Sequence, residues 1–132
     1  EAIAVAEKVY GKNVGIVTSN HERNVNSILK HHGLEKHFSA IVHNRTIINK
    51  EGERVLKPDT RPMLHCVSVF GVQASELIYG GDRLSDIEVG RKAGIGLVVG
   101  GAWAGIGVKE LKDSKPDRYY EKSEDFRAAL VA

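Results

Sequence analysis

Three short stretches of this 132-residue chain combine side chains able to handle an anion or a hard cation: Thr18-Ser19-Asn20, Lys57-Pro58-Asp59, and Gly81-Asp82 with Asp86 four residues on. A threonine hydroxyl such as that of Thr18 donates to an anionic oxygen. If a helix starts just after it, the backbone N–H groups of Ser19 and Asn20 point the same way, toward a helix end that favours negative charge. Lys57 stands before a proline, which holds it extended or in a turn. There it can set a compact positive charge against a phosphate. The carboxylate of Asp82 suits a hard cation such as Mg²⁺, and Gly81 is expected to let the chain turn sharply before it. Asp86, one helical turn on, could steady Lys57 or a metal-bound water. Taken singly, each stretch also has a plainer reading: a helix cap, a solvated loop lysine, and acids offsetting the dipole of a first helical turn.

Position raises the weight of the set. Val14–Val17, Phe38–Val42, Leu77–Tyr79 and Ile95–Val99 are short apolar runs that read as strands, and Arg118–Tyr120 reads as a short edge strand. Between them lie helical patterns. Val25, Ile28, Leu29 and His32 mark one helix, with Gly33 at its C-terminal end. Met63, Leu64, Val67 and Phe70 mark a second, and Ile87 to Ala93 a third. A short helix near Val108–Leu111 and one from Ser123 to about Leu130 follow. Ala2, Val5, Ala6 and Val9 predict a first helix, ended by Gly11. The polar stretch 44–56 has a hairpin tip at Lys50-Glu-Gly-Glu53. Alternating strands and helices predict an α/β domain with a mostly parallel sheet. Ligands of such sheets bind beyond the carboxyl ends of the strands, which is where Thr18 and Asp82 fall. Thr18, Lys57, Asp82 and Asp86 are therefore expected to converge at one edge of the sheet.

Composition narrows the function classes. A formal net charge of +2, with basic residues dispersed, gives no footprint for nucleic acid or an anionic membrane. No apolar run approaches the ~18 residues of a membrane span. The apolar start Ala2–Val5 is short and leads into Glu7 and Lys8, unlike a signal peptide. One cysteine, Cys66, excludes an internal disulfide framework and fits a reducing, cytoplasmic setting. Cys66 itself reads as a small buried hydrophobe. The glycine-rich stretch Gly100–Gly107 carries neither a Gly-x-Gly-x-x-Gly nor a Gly-Lys-Ser/Thr and reads as a rim loop. The six histidines show no zinc-site spacing.

Read in order, Val14-Gly-Ile-Val-Thr-Ser19, Leu56-Lys-Pro-Asp59 and Ile78-Tyr-Gly-Gly-Asp-Arg-Leu-Ser-Asp86 with its continuation to Gly94 resemble the haloacid dehalogenase superfamily, and within it the phosphoglycolate-phosphatase-like branch. The resemblance runs from about Val14 to the final helix. It implies a partial Rossmann-like, three-layer core, with residues 1–132 as a single core domain that is N-terminally incomplete. It also implies Mg²⁺ as cofactor and a small phosphorylated metabolite as substrate. By resemblance, Thr18 and Ser19 bind the transferring phosphoryl group and Lys57 neutralises it. Asp82 binds the metal and Asp86 supports the site. A phosphomutase or a dehalogenase would share parts of this set, but a dehalogenase needs no metal, and the pairing of Lys57 with Asp82 argues against it.

The chain departs from the family at its first motif. Asp-x-Asp, the source of the nucleophile and a general acid, does not occur in the sequence, and the acids before Thr18 are only Glu1 and Glu7. In the family that motif ends a strand between those ending at Thr18 and Asp82, and the substrate-selecting cap also lies upstream. The expectation is thus a truncated or split protein, inactive alone. It would be weakly stable, self-associating, or completed by an N-terminal segment. The rival reading is a binding or interaction module that kept the core and lost catalysis.

Overall fold

The computed structural model describes residues 13–131. The helix expected over Ala2–Val9 lies outside them. The chain divides after Gly71 into two compact units, and each holds its own parallel sheet.

In the first unit, strand β1 (Gly15–Val17) leads to helix α1 (Glu22–His31), then to β2 (Ala40–Val42) and helix α2 (Arg61–Phe70). β1 and β2 pair in parallel, with Val17 beside Val42. The crossover between them carries α1, as parallel pairing requires. Val25 and Leu29, one turn apart, are the buried stripe of α1. The helix stops where the His32 N–H returns to the Ile28 carbonyl and Gly33 takes φ 63°, the left-handed residue expected after a helix end. α2 comes very close to β1. A Cβ on Gly15 would lie 2.8 Å from the Phe70 ring and 2.9 Å from the Cys66 sulfur. Cys66 packs with Ala40, Val42, Val17 and Phe70. Burial pushes its thiol up to about 11, so it is uncharged and a poor nucleophile at neutral pH. The polar stretch after β2 folds back through an antiparallel bridge of Ile48 with Arg54. Asn49 ties to Glu53 at 2.8 and 2.9 Å across the expected tip.

The start of α2 is organised by Asp59. One carboxylate oxygen accepts the Arg61 backbone N–H at 2.9 Å, and the guanidinium donates to both oxygens at 3.0 and 2.8 Å. The Arg61 side chain first, then its backbone N–H, hold this carboxyl down from 3.8 to about 2. Because the folded value is depressed, the cap contributes fully above 3.8 and is lost as the pH falls toward about 2. A carboxyl-carbon NMR titration is expected to show Asp59 with its midpoint near the lower value. A midpoint in the ordinary range would mean that the pair does not form in solution.

In the second unit, strands β3 (Ile78–Gly81), β4 (Leu97–Gly101) and β5 (Arg118–Tyr120) pair in parallel in that order. Helices α3 (Leu84–Lys92), α4 (Val108–Asp113) and α5 (Ser123–Val131) connect and follow them. Ile87, Val89, Val98, Val99 and Leu111 are fully buried and form its apolar core. Gly90 lets α3 approach the sheet, since a Cβ there would lie 2.9 Å from Val98 and 3.2 Å from Tyr79. Asp117 starts the edge strand: its carboxylate accepts the Val98 N–H at 2.7 Å and its own N–H donates to the Val98 carbonyl at 2.9 Å. In the glycine-rich loop, the Trp103 ring lies over Gly101, where any Cβ would collide with it, and stacks on Phe126 at 5.7 Å. That loop is built on aromatic packing. Among the described residues β1 pairs only with β2 and β3 only with β4.

Candidate functional site

The first unit places two of the expected residues together. The Thr18 N–H donates to the Val42 carbonyl at 2.9 Å, extending the β1–β2 ladder one residue past the strand. Its hydroxyl oxygen accepts the Asn20 N–H at 3.1 Å. α1 starts at Glu22, after the turn made by Ser19, Asn20 and His21. Its cap is His21, whose Nδ1 accepts the Arg23 N–H at 3.2 Å. The backbone N–H of Asn20 is thus engaged within the loop, and Ser19 lies exposed at its tip. Lys57 arrives from 40 residues away, and its ammonium donates to the Val17 carbonyl at 3.2 Å. It is half-buried, with its charge held at the end of β1 beside Thr18. A hydroxyl, a cation and a short turn at a strand end can receive a tetrahedral oxyanion.

The second unit organises the other two around the buried carboxylate of Asp86, 3% exposed. One of its oxygens accepts the N–H groups of Asp82 and Arg83 at 3.1 and 3.0 Å. The other accepts the Tyr79 hydroxyl at 3.1 Å. These bonds start α3 at Leu84, three residues before the expected Ile87. They also set the direction of the Asp82 main chain as it leaves β3. Gly81 has a different job from the expected sharp turn. Its φ is not left-handed, but a Cβ there would sit 2.2 Å from the Asp86 Cβ and 2.5 Å from its carboxylate. Glycine is needed because Asp86 passes directly over the strand end. Tyr79 was legible only as a strand residue. Its place on the same strand face as Gly81 was the one signal that it could reach over that end.

Asp82 is half-buried, and no hydrogen bond to its carboxylate is formed by the described residues. Asp86 is already engaged by three donors, which leaves Asp82 as the oxygen donor suited to a hard cation. No group of three or more histidine, cysteine or acidic side chains gathers for a metal among the described residues. A single carboxylate fits Mg²⁺, which keeps several waters and often takes only one or two protein carboxylates.

Residues 5–99 match the sequence model described as haloacid dehalogenase-like hydrolase, a span that includes Thr18, Ser19, Lys57, Asp82 and Asp86. The chain is 35% identical over 86 residues to a phosphoglycolate phosphatase of Chromobacterium violaceum, covering 65% of this chain and 36% of that one. It is 32% identical over 118 residues to pyrophosphatase PpaX of Bacillus velezensis, covering 89% and 51%. Its fold is similar to the crystal structure of a predicted phosphoglycolate phosphatase from Haemophilus somnus. The TM-score is 0.79 at 23% identity, over 99% of this chain and 54% of that one. The chain spans about half the length of these relatives, or less.

Proposed function

Since the chain belongs to the haloacid dehalogenase-like hydrolase family, we propose that it supplies the phosphate-holding and metal-holding part of a Mg²⁺-dependent phosphatase acting on a small phosphorylated metabolite. The observation that carries this reading is the Lys57 ammonium fixed to the end of β1 next to Thr18. The phosphate-holding roles fall to Thr18, Ser19 and Lys57, and the metal-holding roles to Asp82 and Asp86. The Thr18 hydroxyl and the Ser19 N–H donate to the oxygens of the transferring phosphoryl group, and Lys57 offsets their charge. Asp82 would hold Mg²⁺, which when bound neutralises phosphoryl oxygens, and Asp86 keeps Asp82 in place. Phosphoryl transfer depends mostly on such positioning and charge stabilisation.

The attacking group is proposed to be a carboxylate of an Asp-x-Asp segment, which these 132 residues do not contain. It would displace the alcohol from phosphorus to form an aspartyl-phosphate, which water then hydrolyses. Among the described residues β1 pairs with β2 alone and β3 with β4 alone, which supports a place for that segment, because open edges accept a further strand. A second copy of the chain is the competing occupant. The small net charge supports a function without nucleic acid. No helix of the described residues is long and apolar enough to cross a membrane. A lone, buried, un-ionised thiol is in keeping with a cytoplasmic setting.

The test is turnover of an aryl phosphate with and without Mg²⁺. The pure chain is expected to be inactive, and adding a peptide or domain that supplies the Asp-x-Asp strand is expected to produce Mg²⁺-dependent hydrolysis. Mg²⁺-dependent turnover by the chain alone would overturn the assignment of the nucleophile. The missing motif also favours a second reading, a non-catalytic binding module. Phosphate binding that never becomes turnover on complementation would select it.

A further inference from the structure

Asn44 is one of two buried polar or charged residues in the described chain, 7% exposed, and in the sequence it is only the first residue of a polar stretch. It reaches back to the loop that follows β1. Its backbone N–H donates to the Asn20 carbonyl at 3.0 Å, and its side-chain oxygen accepts the Glu22 N–H at 3.3 Å. The turn that presents it is itself braced. The His43 N–H donates to the Thr46 hydroxyl at 2.9 Å, the Thr46 N–H to the His43 carbonyl at 3.1 Å, and the Arg45 N–H to His43 Nδ1 at 3.2 Å.

The loop from Thr18 to His21 is therefore tied at both ends to the β2 side. Its leading end is held by the Thr18–Val42 bond and its trailing end by Asn44. We infer that Asn44 is a positioning residue of the oxyanion loop: it fixes where Thr18 and Ser19 stand relative to the Lys57 ammonium. The inference rests on the phosphatase reading above. A buried amide suits the task because it accepts the Glu22 N–H without placing a second negative charge beside an anion.

Two readouts on the full 132-residue chain test it: hydrogen exchange at the Glu22 amide, and affinity for inorganic orthophosphate followed by amide shifts of residues 18–22. In Asn44→Ala, exchange at Glu22 is expected to rise at least about tenfold while Leu29 and Val42 keep their protection, and orthophosphate affinity is expected to fall at least about threefold. Asn44→Asp keeps the acceptor and is expected to restore Glu22 protection, while its charge keeps affinity below that of the parent. Unchanged Glu22 exchange in Asn44→Ala overturns the inference. So does raised exchange with parental affinity, which would make Asn44 a helix cap and nothing more. Both of those results leave orthophosphate bound to the parent chain. Absence of that binding instead sinks the phosphatase reading, and the positioning role with it.

Discussion

Lys57→Met is expected to lower the Mg²⁺-dependent turnover of the complemented protein at least about a hundredfold, a loss of roughly 2.7 kcal/mol in barrier terms. That is the size seen when one preorganised electrostatic donor is removed from a site where charge builds up. The effect on folding should be far smaller. Its ammonium donates to the Val17 carbonyl at 3.2 Å, and such a bond is worth about 1 kcal/mol net. Methionine keeps most of the apolar stem that lies along the protein. Turnover and melting temperature should therefore separate, with the first collapsing and the second moving by a few degrees. Arginine is not expected to restore the rate, because a planar fork does not replace a compact ammonium at the same point. A threefold change or less for Lys57→Met would remove the lysine from the phosphoryl site.

Asp86→Ala should unfold the second unit at markedly lower temperature. The substitution strips the acceptor from the Asp82 and Arg83 N–H groups and from the Tyr79 hydroxyl in a place where only 3% of the residue meets solvent. Each donor left unsatisfied costs about 1–3 kcal/mol, against a whole-domain stability of ~5–15 kcal/mol. A fall of at least about 10 °C follows for a unit of this size. Asp86→Asn keeps one oxygen for the two N–H groups and an amide for the tyrosine, so it should lose only a small part of that. Gly81→Ala should resemble Asp86→Ala, since its Cβ would overlap the Asp86 side chain at 2.2 Å. The double variant should then cost less than the sum, because both changes break one contact. Additive losses, or a parental melting temperature for Asp86→Ala, would show that this carboxylate is not what holds the loop after β3.

The order of elements was legible from residues 14 to 131 because it is written in local patterns. Val25 and Leu29 repeat at helical spacing, Gly33 stands at a helix end, and Leu97–Val99 is an apolar run too short for a helix. The three polar stretches were legible for the same reason, each lying just past a strand or before a helix. Boundaries set by side chains folding back were not. α3 begins at Leu84, before the expected Ile87, because Asp86 caps it from inside.

What only the tertiary structure decided depends on pieces far apart in the chain meeting at atomic distance. Lys57 reads as a loop residue until the chain brings it across 40 positions to the Val17 carbonyl. Asn44 reads as the start of a polar stretch until it is seen gripping Glu22, 22 positions back. Gly15 and Gly81 look like points of backbone freedom, and their role is space: one for Cys66 and Phe70, the other for Asp86. Periodicity records which face of an element is apolar, so it determined the strands and the helices. It does not record how closely two faces approach, and that closeness turned a lysine, an asparagine and two glycines into parts of the candidate site and its supports.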